Sequence, residues 1–254
     1  MRYGLIGGKL GHSYSKYIHE RMVDCNYDLI PLNEDELDVF MREKKFAGIN
    51  VTIPYKENVI PYLDDIDSLA KRIGAVNTIV NNLGRLTGYN TDFYGLLYLF
   101  KSNRIKIEHK KCLILGTGGT AKTARAVLEE LDAGEIITVS RSPMVEQEIS
   151  YDECYDRHGD AQVIVNTTPV GMYPNVDASP LDLTTFTQCI AVIDVIFNPI
   201  ETKLTSLAKS LGIPAVTGLP MLVAQAKQAE EYFRGIKLDE AIIDVITQEL
   251  LEQI

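Results

Sequence analysis

Short apolar runs alternate along the chain with longer segments in which apolar residues recur at helical spacing. The short runs predict β-strands and the longer segments predict amphipathic helices. This alternation is typical of α/β proteins. In the first part of the chain the predicted strands are 3–6, 27–32 and 46–53, the predicted helices are 15–23, 33–45, 56–63, 66–73 and 93–103, and 75–90 is a predicted hairpin with its turn at 82–85.

The segment 110–141 combines an apolar strand, a glycine-rich turn, a helix and a second strand. Gly116 allows a tight strand-to-helix turn, Gly118 lets a diphosphate approach the backbone, and Ala121 permits close helix–strand packing. The diphosphate would bind unpaired N–H groups at the helix N-terminus. A glycine pattern alone is weak evidence, but this context favours nucleotide binding over a purely structural turn. The predicted cofactor contacts in the turn are Gly116, Thr117, Gly118, Gly119 and Thr120.

The second strand of this segment ends on Ser140, Arg141 and Ser142, without an acidic residue. An NAD site usually has Asp or Glu there, ~20 residues after the glycines, to bind the ribose 2′-hydroxyl. Arg141 can instead stack on adenine and pair with a 2′-phosphate, because its planar guanidinium matches phosphate oxygens. The alternative interpretation is an ordinary surface arginine. The sequence therefore favours NADP over NAD, with all three residues at the cofactor.

The position of the glycine segment also predicts the domain organisation. A nucleotide-binding unit that starts near residue 111 leaves enough chain ahead of it for a separate α/β domain. The later predicted elements are strands 163–166, 191–195 and 214–216 and helices from 201, over 218–235 and over 238–254. We predict a substrate-binding catalytic domain of residues 1–103 plus about 219–254, to which the C-terminal helices return, and a Rossmann-like NADP-binding domain of residues 104–218. A ligand cleft between two such domains is expected.

Composition and charge limit the classes of protein to which this chain could belong. The 254 residues are 46% hydrophobic and 24% charged, as in an ordinary globular protein. The net charge of −10 argues against a nucleic-acid partner. There is no apolar run of ~18 residues for a membrane span and no signal peptide, so we expect a cytoplasmic protein with a small-molecule substrate, either monomer or homodimer. The four cysteines form no C-x-x-C pair, and histidines and cysteines lack metal-ligand spacing, so reduced thiols and no metal are expected.

Polar residues are concentrated at the predicted strand and turn ends of the first domain. With the glycine turn and two later segments they form seven blocks, which are GHSYS, GINVTIPYKE, GAVNT, GYNTD, GTGGTAK, NTTPVGM and GLPMLVAQA. Each block is modest alone, but all of them in this order resemble the shikimate dehydrogenase family over nearly the whole chain. The resemblance implies a two-domain enzyme of aromatic amino acid and chorismate biosynthesis that reduces 3-dehydroshikimate to shikimate with NADPH.

The same resemblance implies that Lys56 and Asp92 are the catalytic pair. Reducing a ketone builds negative charge on its oxygen, which needs a nearby cation or proton donor. Lys56 supplies both, and Asp92 can orient it; the alternative is an exposed lysine and an aspartate that caps the following helix. The resemblance further implies Ser13 and Ser15 at the substrate carboxylate, Thr52, Asn77 and Gln225 at ring hydroxyls, Phe197 at the substrate, and Val195 and Gly218 at the cofactor.

Three features depart from the family pattern. Lys16 replaces a proline that usually follows the two serines, and Tyr14 lies between these serines. Lys16 either assists carboxylate binding or faces solvent. Phe197 replaces a tyrosine that usually contributes a hydroxyl to the substrate site. The stretch 142–160 is short for a helix plus connection and looks trimmed. The exact substrate therefore stays open: the alternatives are a dehydrogenase for quinate or another cyclic hydroxy acid, including one that uses NAD, and a non-catalytic nucleotide sensor.

Overall fold

The computed structural model describes residues 2–11 and 13–253. In chain order the strands are β1 (Tyr3–Gly7), β2 (Tyr27–Pro31), β3 (Gly48–Val51), β4 (Asp65–Ile66), β5 (Thr78–Asn82), β6 (Arg85–Tyr89), β7 (Lys111–Leu115), β8 (Glu135–Val139), β9 (Glu148–Ile149), β10 (Val163–Asn166), β11 (Ala191–Asp194) and β12 (Ala215–Val216). The helices are α1 (Ser15–Met22), α2 (Glu34–Glu43), α3 (Ser68–Ile73), α4 (Asp92–Ser102), α5 (Gly119–Glu130), α6 (Tyr151–Arg157), α7 (Lys203–Ser210), α8 (Leu219–Arg234) and α9 (Ala241–Leu251), with 3₁₀ turns at Ile60–Tyr62 and Leu183–Thr185.

The chain divides into two compact units. Unit 1 comprises Met1–Gly95 and Leu222–Ile254, and unit 2 comprises Leu96–Met221. The changes of unit fall inside α4 and α8. The domain boundaries expected from the sequence, after residues 103 and 218, lie near the ends of the same helices and stay a prediction.

Unit 1 is built on a mixed sheet with the strand order β2-β1-β3-β5-β6-β4. Strand β1 pairs in parallel with β2 and β3, whereas β5 runs antiparallel to both β3 and β6. Successive residues of β1 face opposite sides of the sheet. Leu5 packs with Tyr27 and with Phe233 of α8, while Ile6 packs in a second cluster with Leu37 of α2. Helices therefore cover both faces of β1, which explains why its pattern is continuously apolar.

A glycine in β3 allows α8 to pack directly on this sheet. A Cβ atom at Gly48 would clash with the ring of Phe233. Phe233 is 9% exposed and also lies 5.5 Å, centroid to centroid, from the ring of Tyr3. Because the ring occupies the space of the missing side chain, α8 and the polar residues along it are held on unit 1.

Unit 2 is built on a parallel sheet with the order β12-β11-β10-β7-β8-β9. Every residue of β10 and β11 is buried, as expected for parallel strands covered on both faces. The strand order reverses between β7 and β10, and doubly wound folds of this order bind dinucleotides beyond the carboxyl ends of the strands at that reversal. The predicted fold class, an α/β protein with a Rossmann-like part, is confirmed.

Two local predictions are also confirmed. Asn33 caps α2: its side chain accepts a hydrogen bond from the Glu36 N–H, and the Glu36 carboxylate accepts one from the Asn33 N–H. The predicted hairpin is β5 and β6. Its two-residue turn places Leu83 at φ 50° and Gly84 at φ 91°, the left-handed conformations that a tight hairpin of this kind requires.

Two other local predictions are wrong. The segment 56–63 is not a helix but a series of turns that ends in the 3₁₀ turn Ile60–Tyr62, where Pro61 lacks the N–H that a longer helix would use. The stretch 142–160 is not too short for a helix plus connection, since it contains both β9 and α6; that it is trimmed relative to the family stays a prediction. Ser150 starts α6 by accepting a hydrogen bond from the Glu153 N–H, which makes a helix of seven residues possible in a short connection.

The cysteines are unpaired, and Cys112 is buried in β7, where burial raises the pKa of its thiol to about 12. Within the described parts of the chain, no group of three or more His, Cys, Asp and Glu side chains is placed to hold a metal ion. None of the helices there combines the length and apolar character needed to cross a membrane.

Candidate active site

Lys56 and Asp92 meet in unit 1. Lys56 lies in the turns that follow β3, and Asp92 is the first residue of α4. Nζ of Lys56 lies 2.5 Å from Oδ2 of Asp92, and only 15% and 11% of the two side chains are exposed. The turn is held from both sides, because the Lys56 carbonyl accepts from the Val76 N–H at 2.8 Å and the Thr52 carbonyl accepts from the Tyr55 N–H at 2.9 Å. A largely desolvated ammonium with a fixed carboxylate partner can donate and recover a proton.

Asn77 and Gln225 lie next to this pair, because both contact Thr91, the neighbour of Asp92. Nδ2 of Asn77 is 3.0 Å from Oγ1 of Thr91, and Oε1 of Gln225 is 3.3 Å from the same hydroxyl. Asn77 precedes β5, where its carbonyl accepts from the Val51 N–H at 2.8 Å. The structure therefore brings together four of the residues predicted from the sequence: Lys56, Asp92, Asn77 and Gln225.

Ser13, Ser15 and Thr52 lie at the ends of other elements of the same unit. Ser15 is the buried first residue of α1, and its N–H donates to Oγ of Ser13 at 3.2 Å. Thr52 directly follows β3, and its N–H donates to the Ile6 carbonyl of β1 at 2.9 Å. His12, which belongs to the same sequence block as the serines, lies outside the described residues.

Lys16 is exposed to solvent, one of the two roles considered for it, and 50% of its side chain is accessible. Its Nζ donates to Oε1 of Glu20 at 2.6 Å and to the Tyr27 carbonyl at 2.9 Å. The hydrogen bond from Lys16 lowers the pKa of the Glu20 carboxyl. The added cation is thus paired along α1, so the change from the family's proline adds a local ion pair.

The glycine turn of unit 2 joins β7 to α5. Gly116 adopts φ 103°, a conformation that favours glycine, and its N–H donates to the Val139 carbonyl at 2.9 Å. Gly118 is the N-cap of α5, and a Cβ atom there would meet nothing within 4 Å. Ala121 is 5% exposed, as close helix–strand packing requires. Open space beside a helix N-terminus of this kind fits a diphosphate, so the residues present suit a dinucleotide. The remaining turn residues, Thr117, Gly119 and Thr120, surround the same N-terminus.

The strand β8 ends at the second part of the predicted cofactor site. Ser140 is buried, and its Oγ accepts from the Ser142 N–H at 3.2 Å. Arg141 and Ser142 are exposed immediately beyond the strand. An exposed guanidinium at this strand end has the access that a contact with an adenosine 2′-phosphate requires.

A buried polar network at the ends of β10 and β11 is absent from the sequence-based prediction. Asp194 is fully buried and accepts hydrogen bonds from Nδ2 of Asn166 at 3.0 Å, Oγ1 of Thr202 at 2.7 Å and the Ile196 N–H at 3.1 Å. Burial raises the pKa of Asp194 to about 6, although these hydrogen bonds act in the opposite direction. A usable signal was present: two apolar strands each end on a polar residue, and the register pairs Asn166 with Asp194.

This network is continuous with the segment that carries Val195, Phe197 and Gly218. The Val195 N–H donates to the Asn166 carbonyl at 3.1 Å, and the Gly218 N–H donates to the Ile196 carbonyl at 2.9 Å. A Cβ atom at Gly218 would clash with the carbonyl of Val195, so this contact requires glycine. Phe197 is half-buried two residues after Val195. The three residues expected at the substrate and cofactor are therefore close together in unit 2.

The sheet order and the glycine turn define unit 2 as a dinucleotide-binding fold. Residues 5–79 match the family model described as the shikimate dehydrogenase substrate binding domain. A shikimate dehydrogenase (NADP(+)) from Clostridium perfringens is 37% identical over 268 residues, which cover 98% of this chain and 97% of the relative. The chain belongs to the shikimate dehydrogenase family.

Solved structures agree with this assignment. Shikimate dehydrogenase 1 from Peptoclostridium difficile has 38% sequence identity and a TM-score of 0.90, with 98% of each chain covered. Shikimate 5-dehydrogenase from Thermus thermophilus, in complex with NADP(H) and shikimate, has 29% identity and a TM-score of 0.87 and covers 98% of this chain and 99% of its own. The family resemblance carried by the sequence blocks is thus confirmed over nearly the whole chain.

We predict that Asp194→Asn changes how stability depends on pH. The folded pKa of about 6 lies above the ordinary value of 3.8, so folding favours the protonated acid. This contribution is complete below the ordinary value and is lost as pH rises through about 6, roughly 3 kcal/mol in all. The free energy of unfolding of Asp194→Asn, measured by urea titration, should therefore increase relative to that of wild type as pH rises from about 4 to about 7.

Asp182→Asn is the control of opposite sign. The Thr184 N–H lowers the pKa of the Asp182 carboxyl, so its contribution is present above the ordinary pKa and is lost as pH falls. The free energy of unfolding of Asp182→Asn should therefore fall relative to that of wild type as pH rises. A pH-independent difference between Asp194→Asn and wild type would contradict the burial argument.

Proposed function

We propose that this protein is an NADP-dependent oxidoreductase that interconverts 3-dehydroshikimate and shikimate. The observation that carries the proposal is the ion pair between Lys56 and Asp92, largely withdrawn from water and flanked by the buried amides of Asn77 and Gln225. The similarity to shikimate dehydrogenases over 98% of the chain supports the same reaction.

The reaction adds a hydride to a carbonyl carbon and a proton to its oxygen. NADPH supplies the hydride when it is bound. Lys56 would donate the proton from Nζ to the ketone oxygen, because its ammonium stabilises the negative charge that develops there. Asp92 would hold that ammonium in place and accept a hydrogen bond from a neighbouring hydroxyl. In the reverse direction, Lys56 would recover the proton from the alcohol.

The remaining polar residues of unit 1 would bind the substrate. Ser13 and Ser15, whose hydroxyls lie at the N-terminus of α1, would contact its carboxylate. Thr52, Asn77 and Gln225 would contact ring hydroxyls. These groups suit a small polyhydroxylated acid, since each offers a hydrogen bond to a neutral hydroxyl or to a carboxylate oxygen.

Unit 2 would hold the cofactor. The open backbone at Gly118 and the N-terminus of α5 would bind the diphosphate, and the exposed Arg141 would pair with the 2′-phosphate between Ser140 and Ser142. Val195 and Gly218 would contact the nicotinamide end. Phe197 offers no hydroxyl, and one lost hydrogen bond to substrate costs about 1 kcal/mol if water does not replace it. A cytoplasmic location and a monomeric or homodimeric state accompany this proposal.

The direct test is a steady-state assay of the purified protein with four combinations, shikimate or quinate with NADP or NAD. We expect the highest kcat/KM for shikimate with NADP, because Arg141 favours a 2′-phosphate and no acid is present at that strand end. NADPH formation is followed by its absorbance. Binding of both ligands without turnover would reject the dehydrogenase and favour a nucleotide sensor. A higher kcat/KM for quinate, or with NAD, would favour the other cyclic hydroxy-acid dehydrogenase.

We predict that Lys56→Ala lowers kcat by at least ~10²-fold with little change in KM, because the proton donor is lost while the substrate contacts remain. Lys45→Ala is the matched control: its side chain is 74% exposed and pairs with Glu43 on the surface. It should leave both constants unchanged. A kcat of Lys56→Ala equal to that of wild type would remove the lysine from the mechanism.

We predict that Arg141→Ala reduces kcat/KM for NADP far more than kcat/KM for NAD, since only NADP carries the 2′-phosphate. Both values are measured with shikimate held constant. Arg157→Ala, which removes a surface arginine of unit 2 paired with Glu153, should change neither value. Equal losses for the two cofactors in Arg141→Ala would argue against a 2′-phosphate contact.

A further inference from the structure

The hydroxyl of Thr91 lies between the two amides that the proposed function assigns to the substrate. Thr91 is fully buried between β6 and α4. Its Oγ1 is 3.0 Å from Nδ2 of Asn77 and 3.3 Å from Oε1 of Gln225. Asn77 and Thr91 are joined a second time, because the Thr91 N–H donates to Oδ1 of Asn77 at 2.6 Å. One residue thus contacts both amides.

The direction of these hydrogen bonds is determined by the donors. A main-chain N–H can only donate, so the Asn77 oxygen must face Thr91 N–H and its Nδ2 must face the hydroxyl. A threonine hydroxyl has a single hydrogen and can accept as well. Thr91 therefore accepts from Asn77 and donates to Gln225, whose Oε1 can only accept. Two other acceptors lie within reach of the Thr91 hydroxyl. Oγ1 of Thr78 at 3.0 Å already receives Nδ2 of Asn50, and Oδ1 of Asn77 at 3.2 Å already receives the main-chain N–H and the Thr78 hydroxyl. Donation to Gln225 is the arrangement in which each of these oxygens has a donor.

Further buried groups hold this arrangement from the core side. Oγ1 of Thr78 lies 3.0 Å from Oγ1 of Thr91 and receives Nδ2 of Asn50 at 3.0 Å. Asn50 in turn accepts from the Tyr27 hydroxyl at 2.7 Å. Each of these side chains is buried, so rotating the Asn77 amide would leave polar groups without partners at a cost.

The network also determines what Asn77 offers to a ligand. Among residues 2–11 and 13–253, Oδ1 of Asn77 lies within hydrogen-bond distance of the Thr91 N–H and of the hydroxyls of Thr78 and Thr91, and one hydrogen of Nδ2 is donated to Thr91. The second Nδ2 hydrogen is the group left for a ligand. Nε2 of Gln225 likewise donates one hydrogen to the Leu222 carbonyl at 2.9 Å, which leaves its other hydrogen.

We propose that Thr91 is a positioning residue: its hydroxyl orients Asn77 and Gln225 so that each presents an N–H donor to an oxygen of the substrate ring. This inference rests on the proposed function and goes beyond it, because it names the group that determines the hydrogen-bonding direction of the substrate site. The chemistry it selects is a hydroxyl oxygen that accepts, at both positions.

The test compares Thr91→Val, which keeps the shape and removes the hydroxyl, with Thr91→Ser, which keeps the hydroxyl. We expect Thr91→Val to raise KM for shikimate about 10-fold while kcat and KM for NADP change less than about 3-fold. Thr91→Ser should restore KM to within about 3-fold of wild type. A merely structural loss would lower the active fraction and hence kcat, without a selective effect on KM.

Thr247→Val is the matched control, because the Thr247 hydroxyl is buried without a hydrogen-bond partner among the described residues. This variant should leave KM and kcat unchanged. Its midpoint of thermal unfolding should be unchanged or slightly higher. If Thr91→Val does not fold, as judged by circular dichroism, Thr91→Ala replaces it in the same comparison with Thr91→Ser.

Two results would overturn the positioning role. One is a folded Thr91→Val, or Thr91→Ala in its place, that has the KM of wild type. The other is an equal rise in KM for the variants with and without the hydroxyl. Failure of the proposed function is a different result, namely no turnover by wild type. In that case the coupling is measured in urea unfolding with Thr91→Val, Asn77→Ala and the double variant. Additive shifts would overturn the role of Thr91, and non-additive shifts would support it.

Discussion

The pairing of the Lys56 ammonium with the Asp92 carboxylate is the constraint on which the candidate site of unit 1 depends. Charged groups withdrawn from water are tolerated only when they are paired, and here each group is the other's partner at 2.5 Å. The pair connects the turns after β3 to the first residue of α4. Since Thr91 precedes Asp92, the same connection places the hydroxyl that contacts Asn77 and Gln225.

The candidate cofactor site of unit 2 is formed mainly by its backbone. Gly118 leaves open space beside the N-terminus of α5, so main-chain N–H groups are accessible there. Gly218 allows a close approach to the Val195 carbonyl, and the buried Asp194 joins the ends of β10 and β11 through Asn166. The candidate site of unit 1 therefore depends on paired side chains, whereas that of unit 2 depends on the absence of side chains at its glycines.

Much of the fold could be predicted from the sequence, because strand and helix periodicity and glycine turns are local signals. The glycine turn, the hairpin of β5 and β6 and the capping of α2 by Asn33 are of this kind. The errors arose where local signals conflict. Apolar residues in 56–63 suggested a helix that Pro61 prevents, and 142–160 contains a strand and a helix too short for periodicity to reveal.

By itself, the sequence determined the α/β alternation, the residue types available for chemistry and the family resemblance, since these depend on the order of residues along the chain. Only the tertiary structure decided which polar groups satisfy one another. Lys56 and Asp92 are 36 residues apart, and Thr91 and Gln225 are 134 apart. Lys16, for which the sequence left carboxylate binding or solvent exposure open, is half exposed and pairs with Glu20. The direction of a hydrogen bond depends on which donors and acceptors meet after folding, and residue order alone does not specify those meetings.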